Sequence, residues 1–549
     1  MDDEDERDST ITRRRFVTWA GAGFTAIGAP SLLAACGSAS KSSSSIRRQQ
    51  VVVAVSGGPA YLDPNIDISG TDWVALANIY DGLYMLDYSS GSTPAKIIPG
   101  LATKYSLSSD GRSYTFTLRD GVEFHDGSPW NADAAVFNFR RWFDKSFQYY
   151  YPRANATVVT YVPDVESYEA VDPRTFRVTL TQPNGGWLDY LAARGSTSFM
   201  VSPAAIKKYG NNGISNHGVG TGPYQVVDYQ RDSRLVLEAN PKYWGGAPGV
   251  KRLVLIPVTD DATRLSGLLS GQYDIAQELA PNTITQVQGN PQFKVEYALK
   301  PVTFGFAGSM RSGAWSDPLV RQAVSLAIDR EGIAKTVQYG AAVPATQFYA
   351  PGNAAYDPTL PIQDPYDPKL AASLLKKSSY AKGLHLAFRT STSAMGVPTP
   401  SHTLEAVQSN LQAIGISSSI DVSDWTTYLG FWLKGTPPGT GNNVPIYTMA
   451  MGADANMLLE QYALGANFPP KGTDFAWYSA PAATNQFGKI QGARSVPELI
   501  ADLRAGQKIF LKERPYIFIY HGRSAFGLKK DVNWTPSSTW PQRFSAVSG

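Results

Sequence analysis

A single cysteine, Cys36, in 549 residues is the feature that most limits how this chain can hold itself together. With no second thiol an intramolecular disulfide is impossible, so the folded state must rest on buried apolar surface. The composition can supply it, with 43% hydrophobic and 17% charged residues. A body of roughly 500 residues exceeds one core and predicts two or three lobes. The net charge of +3, with Lys and Arg scattered along the chain, argues against a nucleic-acid partner. Aromatic residues reach 12%, including 12 Trp and 29 Tyr. Rings with an apolar face and a polar edge suit concave sites, although most of them serve the core.

The position of Cys36 carries a second meaning. Thr12, Arg13, Arg14, Arg15, Phe16, Val17 and Thr18 form a charged region with a twin-arginine pair, followed by an Ala- and Gly-rich apolar run from Trp19 to Ala35. That run is too short and too weakly apolar to span a bilayer, which takes roughly 20 strongly apolar residues. Leu33, Ala34, Ala35 and Cys36 resemble a lipobox, in which the cysteine is acylated and the leader removed before it. Residues 1–35 are expected to be a twin-arginine export signal carried by Arg13 and Arg14, and the mature chain to start at Cys36, lipid-anchored on the outer face of the cell membrane. Thr18, where lysine is frequent, leaves the general export route open. Residues 36–50 are Ser-rich, then basic, without apolar periodicity, and read as a flexible tether.

Beyond the tether, Val51–Val55 reads as a β-branched strand, followed by a turn-rich loop with Gly57, Gly58, Pro59, Asp63 and Pro64. Apolar spacing predicts a helix over Thr71–Leu86, with Trp73, Leu76, Ala77 and Tyr80 on one side. Ser113–Leu118 alternates and predicts a half-buried strand with Tyr114, Phe116 and Leu118 inward. Strands and helices continue to alternate without an internal repeat, an α/β pattern.

Several motifs are more specific. Asp110–Gly127 reads DGRSYTFTLRDGVEFHDG, and Thr221–Tyr224 with Glu238–Asn240 and Tyr243–Trp244 follows downstream. Asp317–Arg330 reads DPLVRQAVSLAIDR, Tyr366–Pro368 precedes Leu374 and Leu375, and Leu411–Ile416 reads LQAIGI. In this order the motifs resemble the extracellular solute-binding proteins of peptide-type ABC importers, over residues 51 to about 530. On their own physics Asp110–Gly111, Arg119–Gly121 and Asp126–Gly127 are expected to be turns. His125 lies beside carboxylates, yet the five histidines are dispersed and no nucleophile motif accompanies them, so a hydrogen-bonded structural role is expected. Gly220 and Gly222 lack the lysine of a phosphate loop and are expected to make a turn.

The resemblance implies a two-lobed periplasmic-binding-protein fold with a hinge and an additional domain inserted in the first lobe. Carried onto this chain, lobe one comprises 51–90, 219–300 and 511–549, the inserted domain 91–218, and lobe two 301–510. It also implies a binder and no enzyme. In peptide-binding members the ligand lies extended and pairs its backbone with protein strands. An aspartate closing a Trp-x-x-Asp motif holds the peptide ammonium. Here that stretch reads Met451, Gly452, Ala453, Asp454, so the aspartate matches and the tryptophan does not. Asp424–Leu429 is similar to the segment that supplies a cleft-lining tryptophan, here Trp425. Some oligopeptide-binding members carry an arginine three residues before the motif's tryptophan, and here Thr448 stands there. The Gly- and Pro-rich stretch Gly435–Asn443 is longer than usual and suits a ligand-shaping rim.

The expected ligand is a di- or oligopeptide. An oligosaccharide on the same fold is the alternative, stacked on Trp425, Trp432 or Trp477. An exported hydrolase using Asp260 and Asp261 is more remote, since the pair is expected at a strand end with adjacent residues on opposite faces. No cofactor or metal is expected, because the histidines show no ligand spacing. The expected partners are a small solute, the membrane subunits of an importer and the bilayer through the Cys36 lipid, with the protein itself a monomer.

Overall fold

The computed structural model describes residues 49–66, 73–88, 96–193, 198–345, 347–351, 353–361, 364–392, 400–434, 446–451, 468, 474, 476–538 and 542–549. Cys36, Arg13, Arg14, Gly452, Ala453 and Asp454 lie outside these residues, as does Gly435–Asn443. In chain order the strands are β1 (Gln50–Val55), β2 (Tyr84–Leu86), β3 (Ile97–Pro99), β4 (Ala102–Leu107), β5 (Ser113–Leu118), β6 (Val165–Asp172), β7 (Thr175–Leu180) and β8 (Tyr224–Gln230). They continue with β9 (Arg234–Ala239), β10 (Arg252–Pro257), β11 (Ile275–Ala276), β12 (Phe293–Ala307), β13 (Ala342–Pro344), β14 (Leu384–Ser391), β15 (Ile416–Ser423), β16 (Ile446–Met451) and β17 (Tyr516–Lys529).

Side-chain chemistry accounts for where these strands lie. The valines of β1 are buried or half-buried along its length, which suits a strand between parallel neighbours, and β1 runs parallel to both β10 and β11. β5 alternates as its sequence predicts, with Tyr114, Phe116 and Leu118 inward. It sits in an antiparallel sheet of order β4-β5-β7-β6. The helix Ala132–Phe143, capped by Asn131 Oδ1 on the amide of Ala134 at 3.0 Å, covers that sheet through Phe139, whose ring centre is 4.9 Å from that of Phe176.

The helix expected over Thr71–Leu86 is shorter. It spans Trp73–Ile79, the chain turns at Asp81 and Gly82, and Tyr84–Leu86 is already β2. Its residues Val74 to Ile79 are all buried, and the one polar side chain among them, Asn78, donates to Val74 O at 2.7 Å and to Gln542 O at 3.0 Å. The end is set from elsewhere in the chain: the carbonyl of Ile79 accepts the amide of Gly222 at 2.9 Å. A Cβ at Gly220 would stand 2.3 Å from that same carbonyl oxygen, so only glycine lets the two segments touch.

The remaining long sheet has the order β15-β14-β16-β12-β17-β11-β1-β10-β9-β8 among the described residues. β12 and β17, of 15 and 14 residues, are the pair on which its two halves meet. β11 joins β17 at Ala276↔Gly527, and β16 joins β12 at Thr303↔Met451. Between these points the β12–β17 register slips: Leu299 faces Arg523 and Thr303 faces His521, so Lys300, Pro301 and Val302 lie opposite Gly522 alone. Such a bulge bends and twists the ladder locally. Separate cores fill the two sides, one around Val53, Leu237 and Phe526, the other around Phe306, Phe388 and Leu404.

Candidate functional site

Strand direction locates the site. β1, β10 and β11 are parallel, and β11 ends at Ala276 with the chain running on toward Ser524 and the bulge, as the 2.8 Å bond from the amide of Leu279 to Ala525 O shows. On the other half β14, β15 and β16 are parallel, and β16 ends at Met451, opposite the first residue beyond the bulge. Both parallel sets therefore aim their carboxyl ends at the bulge from opposite sides. In open α/β sheets, ligands bind outside these ends.

The first half contributes three loops to that edge. After β1 comes Ser56–Ile66, where a Cβ at Gly58 would stand 2.5 Å from Cγ of Pro257, so the loop lies directly on the end of β10. Asp63 in this loop is fully buried and takes Arg141 Nη2 at 2.5 Å, while Arg141 Nη1 donates to Asn65 Oδ1 at 2.8 Å. After β10, Asp260 caps the helix Asp261–Leu269 by accepting the amide of Thr263 at 2.7 Å, and Asp261 pairs with Arg264. This corrects the expected strand-end placement of Asp260 and Asp261: they open a helix, and the carboxylate of each is engaged in holding it.

After β11 comes the charged floor. Arg264 clamps the backbone there, giving Nε to Gln277 O and Nη2 to Glu278 O, both at 2.7 Å. Glu278, held at a left-handed φ of 54°, accepts Ser524 Oγ at 2.8 Å and forms a short ion pair with Lys300 Nζ. Lys300 is the first bulge residue, so this pair ties the carboxyl end of β11 to both crossing strands. Gln277 Oε1, buried beside it, has no hydrogen-bond partner among the described residues. On the far side of the bulge, Thr303 Oγ1 donates to Phe348 O at 3.0 Å, so His521 Nδ1 must be the donor in its 2.9 Å contact with Thr303. Nε2 is then a bare acceptor, and burial pushes the His521 pKa down to about 3.

A chain with this sheet has counterparts among known proteins. A family model described as "Bacterial extracellular solute-binding proteins, family 5 Middle" matches residues 96–467. The chain belongs to this family. It is 30% identical over 502 residues to the glutathione-binding protein GsiB of Salmonella typhi, covering 88% of this chain and 92% of the relative. It is 28% identical over 509 residues to di/tripeptide-binding protein 2 of Pseudomonas aeruginosa, covering 89% and 93%. Among solved structures, the ABC transporter-associated periplasmic binding protein DppA from Helicobacter pylori, in complex with peptide STSA, aligns with a TM-score of 0.71 at 25% identity over 91% of this chain and 98% of that one. HbpA2 from Haemophilus parasuis aligns with a TM-score of 0.78 at 22% identity over 91% and 99%. The fold is the two-lobed periplasmic-binding-protein fold, and the protein is a substrate-binding component of the ABC-importer type.

Within this solute-binding protein the landmark motifs converge on structural bonds. Asp81, fully buried, accepts Thr221 Oγ1 at 3.0 Å, Trp244 Nε1 at 2.9 Å, Tyr243 Oη at 3.3 Å and Arg543 Nη2 at 2.9 Å. His125 donates Nε2 to Gly222 O at 3.0 Å and accepts the Gly220 amide on Nδ1 at 3.4 Å, the hydrogen-bonded structural role expected of it. Burial keeps its pKa below the usual histidine range. Asp317, Asp329 and Asp367 each cap a helix, those of Pro318–Ala327, Arg330–Thr336 and Pro368–Lys377.

Of the residues of this solute-binding protein predicted to meet a peptide, only the backbone of Trp425 falls within the described residues. Trp425 opens the helix Trp425–Lys434 directly after β15, and Asp424 caps it through the amide of Thr427 at 3.0 Å; the Trp425 side chain is outside the described atoms. Gly452, Ala453 and Asp454 follow the last residue of β16 and are likewise outside. Thr448 is buried and donates to Thr390 Oγ1 at 2.8 Å. Trp477 packs 5.0 Å from Phe468 and under Arg311, so side chains of the protein itself already lie against its ring. Sequence reasoning missed Lys300, Glu278 and Ser524, whose partnership spans 246 positions and leaves no local pattern.

Proposed function

We propose that this chain captures di- or oligopeptides between its lobes and hands them to the membrane subunits of an importer. The observation that carries this reading is the convergence of both parallel strand sets on the β12 bulge, which leaves a cleft edged by strand ends and by loops whose backbone groups can pair with an extended peptide. Relatives named for glutathione and for di- and tripeptides, aligned over about nine tenths of the chain, favour the same ligand class. Asp454, three residues after Met451 in the sequence, is assigned the ligand's ammonium, with Gly452 and Ala453 beside it and Trp425 as a wall. Lobe one is assigned to 51–90, 219–300 and 511–549, the inserted domain to 91–218 and lobe two to 301–510. Closure is a rotation about the crossing strands. The chain works without enzymatic turnover, as a monomer, tethered by a lipid on Cys36.

Native mass spectrometry of the gently purified protein, with thermal-shift assays of peptides, their N-acetylated forms and oligosaccharides on stripped material, tests the ligand. Peptide adducts and shifts lost on N-acetylation support the reading. Shifts with oligosaccharides alone would replace it. The anchor is tested separately: Cys36→Ala is expected to release the protein from washed membranes with ligand binding intact, and retention in the membrane fraction would remove the lipid.

A further inference from the structure

Arg153 and Arg231 reach the ring of Tyr61 from distant parts of the chain, their guanidinium carbons 4.2 and 5.1 Å from its centroid. Tyr61 lies in the loop that leaves β1, Arg231 in the turn between β8 and β9, and Arg153 in the first turn of the helix Pro152–Tyr161. In the β9–β10 register Leu235 faces Leu255 while Glu238 faces Arg252, so the β8–β9 turn stands at the carboxyl edge of β1 and β10. Tyr229 Oη ties the hairpin to the loop by donating to Pro59 O at 2.5 Å. The three side chains therefore meet on the edge where the cleft opens, at its outer end, since β9 and β8 are the strands farthest from the bulge on that half.

Two cations meet at this point, with Asp232 next to Arg231 in the same turn. Both arginines are exposed, and neither forms an ion pair among the described residues. Neighbouring arginines do: Arg234, at the start of β9, binds Asp228 at 2.7 Å, and Arg252 binds Glu238 at 2.7 Å. Asp63, two residues from Tyr61, is buried and committed to Arg141 at 2.5 Å. Two cations over one ring lie no farther apart than about a Debye length in moderate salt, so they repel one another. The ring face attracts both, and the Arg153 side chain also hydrogen-bonds Tyr61, which holds the group in place; the remaining N–H groups of the two forks can take a carboxylate, which a guanidinium binds in bidentate fashion.

We propose that Arg153, Tyr61 and Arg231 form an anion subsite at the outer end of the cleft that receives a carboxylate of the solute. That the carboxylate belongs to a peptide rests on the function proposed above; that the subsite takes carboxylates does not.

The test compares the full-length protein with R153Q/R231Q and R153K/R231K. With citrate against sodium chloride at matched ionic strength, the wild type is expected to gain a few degrees in melting temperature, the glutamine pair to lose that gain and the lysine pair to keep part of it. No citrate-specific gain in the wild type, or an equal gain in the glutamine pair, overturns the subsite. Single R231Q, on an exposed turn, gives the same reading if the double variant folds poorly. In a second arm, Ala-Ala-Glu is expected to bind the wild type roughly ten- to a hundredfold tighter than the amide of Ala-Ala-Gln, with the gap closing in the glutamine pair. A gap of equal size in both proteins overturns the subsite and leaves the peptide reading standing. A citrate effect with no peptide binding does the reverse.

Discussion

The carboxylate of Asp81 accepts Arg543 Nη2 at 2.9 Å, across 462 positions of sequence, with both side chains buried. Arg543 also gives Nη1 to Tyr243 at 2.8 Å and Nε to Ala77 O at 2.8 Å, so the C-terminal segment locks the end of the first helix against two of the landmark motifs. Removing one partner leaves a buried charge uncompensated, which costs about 3–5 kcal/mol. Asp81→Asn is expected to lower the free energy of unfolding by that order, read as a lower urea midpoint at unchanged slope. A midpoint within experimental error of the wild type would show that Tyr243 and Trp244 suffice.

The bulge pair Glu278–Lys300 is less enclosed, with side chains 27% and 7% exposed, so a smaller cost applies. Glu278→Gln is expected to destabilise by about 2–3 kcal/mol because Lys300 stays buried, and pairing it with Lys300→Met to recover most of the loss. Denaturant titrations of the single and double variants measure the coupling. Independent, additive losses would show that the two residues act separately.

His521 makes the protein sensitive to acid. Folded, it stays neutral down to a pKa of about 3, whereas in the unfolded chain it takes up a proton near the usual 6.5. Between those values the unfolded state binds more protons, so this contribution is present above pH 6.5 and is lost as pH falls toward 3. The expected loss is about 2–3 kcal/mol between about pH 7 and pH 4.5. Urea unfolding at the two pH values should show His521→Gln lacking that part of the pH dependence. An identical pH profile for variant and wild type would assign the acid sensitivity elsewhere.

Asp454→Ala is expected to weaken a free-amine peptide by roughly ten- to a hundredfold, the worth of a charge-assisted contact. Calorimetric titration with a peptide and its N-acetylated form decides it. Equal affinity of wild type and variant for the free amine would take Asp454 out of the site.

Elements governed by near neighbours were legible in the chain itself. The alternation of Ser113–Leu118 became β5, because a strand face is decided within a few residues. The helix predicted to Leu86 ended at Ile79 because its last carbonyl belongs to Gly222, a contact no local period encodes. Asp260 looked like a strand end and proved a cap, since the next helix begins one residue after it.

By itself the sequence determined the strand and helix chemistry, the absence of an intramolecular disulfide and, through its ordered motifs, the family. The tertiary structure alone decided that both parallel strand sets end at one bulge, that Lys300 meets Glu278 there, and that Arg153 and Arg231 share the ring of Tyr61. The physical reason is range: periodicity and capping are energies of adjacent residues, whereas a cleft is made by charges and strand ends brought together only when distant segments pack.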